Sequence, residues 1–156
     1  MTRLGFLLAT LLGLASLTAP APVAAQDAGV TGAAEATFPD GAAFNGIPLK
    51  GLTLGQGMFI ASGGSATGQF QAVLLGTSPL GTAQNITVEG EVSSGSVAAD
   101  GSATFSGTAS VDMGDGTPAL PGVPFTVTVS AGSLGLILNA VALPTATVSA
   151  GSITVK

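Results

Sequence analysis

Alternation of apolar and polar side chains with a period of two dominates this chain, and it constrains the fold more than any other feature. In Asn85–Val92, Ile86, Val88, Gly90 and Val92 occupy one face, while Asn85, Thr87, Glu89 and Glu91 occupy the other. Through Ser102–Asp112, Ala103, Phe105, Gly107, Ala109 and Val111 alternate with Ser, Thr and Asp. Val123, Phe125, Val127 and Val129 repeat the pattern, and Ser152–Val155 closes it. Successive side chains of an extended strand point to opposite faces, so each segment reads as a half-buried antiparallel strand. Beyond residue 25 the 3.6-residue helical period is nearly absent.

Turn chemistry falls between these runs. Asp100-Gly101 tolerates the positive φ of a two-residue hairpin turn and joins a strand near Val97 to the one from Ser102. Face parity switches between Val92 and Val97, which predicts a bulge within Ser93–Ser96. Ser62–Ser65 separates strands around Leu54–Ala61 and Thr67–Leu75, and Ser149–Gly151 separates the last two. Turns recurring every ~8–12 residues predict an all-β fold, an antiparallel β-sandwich or small up-and-down barrel of roughly eight strands.

The first 25 residues obey a different rule. Arg3 precedes an apolar run from Leu4 to Leu17, Pro20 and Pro22 follow, and Val23-Ala24-Ala25 places small residues at the −3 and −1 sites of a cleavage position. That order is the signature of a secretory signal peptide, and the run is shorter than the roughly 20 residues of a membrane-spanning helix. The expected organisation is a signal peptide at 1–25, an N-terminal arm at 26–50 and a single all-β domain at 51–156. No membrane span is expected after cleavage between Ala25 and Gln26. With neither a twin-Arg pair nor a lipobox Cys, the expected product is unlipidated and secreted, extracellular or periplasmic.

Composition removes whole classes of chemistry. The chain has no His and no Cys, so it builds no His-based catalytic pair, disulfide, thiolate metal site or thioether haem. Lys and Arg total 3, which leaves no basic patch for nucleic acid. Beyond residue 25, eight acids face two lysines, Lys50 and Lys156, for a side-chain charge of −6. An outer-membrane barrel would need aromatic girdles, yet Trp and Tyr are absent.

Few residues carry reaction chemistry. Glu89 and Glu91 share a strand face about 7 Å apart, a spacing known among paired glycosidase carboxylates. They lie on the wet face with no aromatic platform for a sugar, and the reading favours solvated charges. Asp112 and Asp115, in Asp112–Thr117, are hard oxygen donors and the one candidate calcium loop, although Val111 and Met113 break any EF-hand spacing. A glycine-rich turn feeding a Pro118–Pro124 linker accounts for the same residues. No catalytic residue and no cofactor are assigned. Ser and Thr recur along the outer faces of 102–110 and 126–130, an array able to order water or sugar hydroxyls, although the β propensity of Thr and the neutral polarity of Ser suffice to explain it.

Ala103-Thr104-Phe105-Ser106-Gly107-Thr108-Ala109-Ser110-Val111 followed by Phe125-Thr126-Val127-Thr128-Val129 resembles the hairpin of small secreted bacterial all-β domains of the post-COAP type. That resemblance implies an all-β secreted fold and brings no activity with it. The expected function is therefore non-enzymatic, structural or adhesive, at the bacterial envelope or outside the cell. The alternative is a barrel carrying a small apolar ligand in space left by Gly90, Ala103, Gly107 and Ala109. Expected partners are a cell surface or further copies joined through edge strands.

Overall fold

The computed structural model describes residues 26–156, so the expected leader lies outside the described residues. Ten strands form, all paired antiparallel: β1 (Ala28–Thr37), β2 (Ala43–Phe44), β3 (Ile47–Ile60), β4 (Ser65–Gly76), β5 (Ile86–Val97), β6 (Ala103–Asp112), β7 (Leu120–Ser130), β8 (Ser133–Leu138), β9 (Val141–Ala142) and β10 (Ala146–Val155). From β3 to β8 each long strand pairs with the next, β8 meets β10, β10 meets β1, and β1 pairs back onto β3. The eight long strands thus close into an up-and-down barrel, with β2 and β9 as short arms folded against β3 and β8. Closure pairs each of the eight with two neighbours.

The alternation read from sequence sets which side chains enter the barrel. Ile86, Val88, Gly90 and Val92 of β5 are buried, as are Phe105 and Val111 of β6 and Val123, Phe125, Val127 and Val129 of β7. The parity switch falls where expected: Val92 pairs Gly107 but Ser94 pairs Ser106, leaving Ser93 as the bulged residue. Eight strands enclose an interior just wide enough for side chains to fill. Here it is occupied by Phe70, Phe105 and Phe125, with ring centroids 5.4–6.5 Å apart, and by Leu, Ile and Val layers around them. Phe70 stacks on Phe125 at 20°, while Phe105 and Phe125 meet edge to face at 76°.

Four expectations need correction. Ser149–Gly151, expected as a turn between two strands, lies inside β10 as a local irregularity with Gly151 at φ +80°. Residues 26–50 are not an arm, because β1 is the stave that closes the barrel, paired with β3 over its whole length and with β10 from Val30 to Thr37. Its Ala- and Gly-rich composition reads as loose, yet Ala28, Val30, Ala34 and Ala36 alternate inward and are buried. The Asp100-Gly101 turn has three loop residues, not two. Ala98 N–H donates to Ser102 O and Gly101 N–H to Ala98 O, with Gly101 at φ +81°. This is a type I turn followed by a left-handed residue, and the same bond pattern recurs at Ala61–Ser65 and Ser78–Thr82. Gly adopts that angle without steric cost, which is why Gly64, Gly81 and Gly101 occupy the last loop position of these three turns. Finally, Leu120–Pro124 is not linker but the start of β7, with Pro124 exposed opposite Thr108.

Candidate functional site

The polar residues collect on the outside of the barrel between β4 and β8. Opposite residues in antiparallel pairs share a face, so register alone assembles rows across the sheet. One row runs Gln71, Glu89, Ser110, and the next runs Gln69, Glu91, Thr108. All of these but Thr108 border a shallow groove of about 410 Å³. Beyond the Ser93 bulge come Ser94, Ser106, Thr126 and then Ser96, Thr104, Thr128. Hydroxyls in these rows bond to one another: Ser94 to Ser106 at 2.8 Å and Thr104 to Thr128 at 3.1 Å, with Ser130 and Ser133 joined at 2.6 Å across the next turn. In these three pairs each hydroxyl fixes its neighbour's orientation.

Glu89 and Glu91 lie exposed on this face, as the alternation required. The Gln71 side-chain amide donates to Glu89 Oε1 at 3.1 Å, which leaves that carboxylate held by a neutral neighbour. Among the described residues no aromatic ring flanks the pair on the outer face; Phe70, though it borders the groove, points inward and is buried.

Asp112 and Asp115 each bond within their own turn. Asp112 Oδ1 accepts from Gly114 N–H at 2.8 Å. Asp115 Oδ1 accepts from the Thr117 hydroxyl at 2.6 Å and from Thr117 N–H at 2.9 Å. Each carboxylate therefore closes its own turn, the common local use of Asp before Gly. Those bonds, the Thr117 hydroxyl foremost, hold the exposed Asp115 carboxyl below its ordinary value. Asp100 repeats the device with Ser102, whose hydroxyl lies 2.6 Å away, and is lowered for the same reason. Among the described residues no three His, Cys, Asp or Glu side chains cluster in a metal-binding arrangement.

The small inward residues do not leave a space open. A Cβ placed on Gly90 would lie 2.6 Å from Phe125 Cε1, so the missing side chain is where the ring sits. At Gly107 the absent Cβ makes way for the main chain of Glu91 and Val92. Ala103 and Ala109 are buried in the same wall.

Sequence reading passed over one interior residue. After the irregularity between Leu49 and Gly51, the inward positions of β3 are Leu52, Leu54, Gln56, Met58 and Ile60. Gln56 stands opposite Phe70 on one side and Gly32 on the other. Both polar atoms of its amide are buried with no hydrogen-bond partner among the described residues. The even-numbered face of 52–60 carried the signal, a lone Gln in an apolar series.

Fold and site together define a closed antiparallel barrel with a filled apolar interior and an ordered polar exterior. Comparison of the chain with family models, with curated proteins and with solved structures found no match.

Proposed function

We propose that this protein is a secreted, non-enzymatic β-barrel domain with a structural or adhesive role at the bacterial envelope or outside the cell. The observation that carries the reading is the hydroxyl array of β5–β8, Ser94–Ser106 and Thr104–Thr128 above all, set on a wall stiffened by the phenyl cluster. Pre-oriented, neutral donors and acceptors over a rigid sheet suit contact with another hydroxyl-bearing or hydrated surface, because little side-chain order must be gained on contact. Polarity points the same way: an apolar interior beneath an outer β4–β7 face rich in Ser, Thr, Gln and Glu is the reverse of an outer-membrane channel.

The carrier reading needs an apolar chamber, and Phe125 occupies the space over Gly90 that motivated it. Fractionation of a bacterium expressing the full chain tests the proposal. The expected result is a protein outside the cytoplasm whose amino terminus is Gln26 and which binds whole cells or envelope polysaccharide. Replacing Thr104 and Thr128 by Val should weaken that binding several-fold without lowering the melting temperature, since β-branched residues suit strands equally. Retention in the cytoplasm with residues 1–25 intact would refute it.

A further inference from the structure

The barrel wall has one incomplete seam. β8 spans six residues and β10 ten, and they pair only at Leu134–Ala146 and Ser133–Thr147. One further bond, Val148 N–H to Gly132 O at 2.9 Å, ends the contact. From Ser149 to Val155, β10 has β1 on one side and no strand on the other. A notch of about 420 Å³ opens there, bounded across from β10 by Val129–Gly132 and Gly101.

Hydrogen-bond phase determines what this edge offers. Gly29 and Lys156 exchange both main-chain bonds, at 2.7 and 2.9 Å, so Lys156 directs its main chain towards β1. Alternation then turns Thr154 and Ser152 the same way and leaves the N–H and C=O of Ile153 and Val155 facing the open side. Their side chains point into the barrel beside the notch and are only half-buried. Natural sheets shield such edges with charges, prolines, bulges or a covering segment. Residues 147–155 contain no charge and no proline; the bulge at Ser149 and the left-handed Gly151 confine the regular open edge to Ser152–Val155.

We propose that this edge pairs with the same edge of a second copy, antiparallel and two-fold symmetric about Thr154. In that register Ile153 of one copy exchanges both main-chain bonds with Val155 of the other, and Val155 with Ile153. Every donor and acceptor the open stretch of Ile153–Val155 presents is then used. The four β-branched side chains cover one another and both notches. Charge selects a copy as occupant: none of the eight acids falls within 147–156, so two acidic chains meet here without facing carboxylates. Lys156 falls opposite Ser152, so no like charges oppose one another. The inference stands on main-chain geometry and does not depend on the location or adhesive role proposed above.

Sedimentation velocity of the purified protein over about 1–100 μM should show a concentration-dependent dimer, a range typical of small interfaces. Thr154→Lys sets two ammonium groups against each other on the dyad and should raise the dissociation constant at least about tenfold, with the melting temperature of the monomer unchanged. Thr154→Glu should act the same way, so a folding defect peculiar to one variant cannot imitate the result. Thr154→Cys, the only cysteine in its chain, should form a disulfide-linked dimer under mild oxidation, since facing Cα atoms of such a pair lie within about 4.4–6.8 Å. A protein monomeric throughout, or a dimer indifferent to Thr154→Lys and Thr154→Glu, would overturn the proposal. So would pairing with an unrelated extended peptide in preference to a second copy.

Discussion

Gly90 gives the sharpest test of the filled interior. A methyl group at this position would lie 2.6 Å from Phe125 Cε1 and 3.0 Å from Cζ, against ordinary contacts of 3.4–4 Å. The Phe125 ring would have to retreat by about 0.8–1 Å, into Phe70 stacked on it at 5.4 Å. Overpacking of this kind costs about 1–3 kcal/mol, and the loss of glycine's backbone freedom in the unfolded chain returns about 0.4–1 kcal/mol. Gly90→Ala should therefore destabilise the barrel by about 1–2 kcal/mol, a fall of roughly 3–8 °C in melting temperature at this chain length. Phe125→Leu vacates the same space at its own cavity cost. Combining the two should cost less than their sum by about 1 kcal/mol, because the added methyl then fills part of the cavity. Urea unfolding monitored by far-ultraviolet circular dichroism measures all three variants. A Gly90→Ala protein as stable as the parent, with additive double-mutant energies, would refute the packing argument and reopen the interior to a ligand.

Two further outcomes follow from single side chains. Gln56→Met exchanges an amide with two unpartnered buried atoms for an apolar chain of similar length, and should stabilise the barrel by about 1–3 kcal/mol in the same urea titration; a loss of stability would mean the amide is satisfied in solution. Asp100 and Asp115 have carboxyls lowered in the folded state by Ser102 and Thr117. Their stabilisation is present above the unfolded carboxylate value and is lost as pH falls through the lower folded one. The Asp100→Asn, Asp115→Asn double variant should accordingly show a flatter decline in melting temperature below about pH 4 than the parent, and an unchanged slope would contradict that linkage.

What was legible in the sequence was the part encoded by neighbours. Ile86, Val88 and Val92 declare a face by themselves, and the parity break at Ser93 needs no knowledge of its partner. β1 was missed because Ala28, Ala34 and Ala36 carry little hydrophobicity individually, and their burial depends on β3 and β10, distant in sequence. Pro121 and Pro124 argued for a linker because proline lacks a donor, but an outward position beside an irregular stretch of the ladder tolerates it. In the Asp112–Thr117 loop, Asp112 and Asp115 each accept bonds from their own turn, a local use that the donor types alone do not reveal. The open edge of β10 arises from the unequal lengths of β8 and β10, a relation between two segments that neither reveals alone.

The placement of β1 also orders the folding reaction in time. Val30 pairs with Val155, about 125 residues later, whereas β3 to β8 are joined in sequence by loops of two to nine residues. Closing so long a loop costs about 3 kcal/mol more in chain entropy than closing a four-residue turn, so the meander forms first and the ring shuts last. As a chain emerges amino-terminus first, its earliest strand must wait, with one side unpaired, until the final strand has been made. Ala28–Thr37 therefore gains its second neighbour only with the arrival of Ala146–Val155.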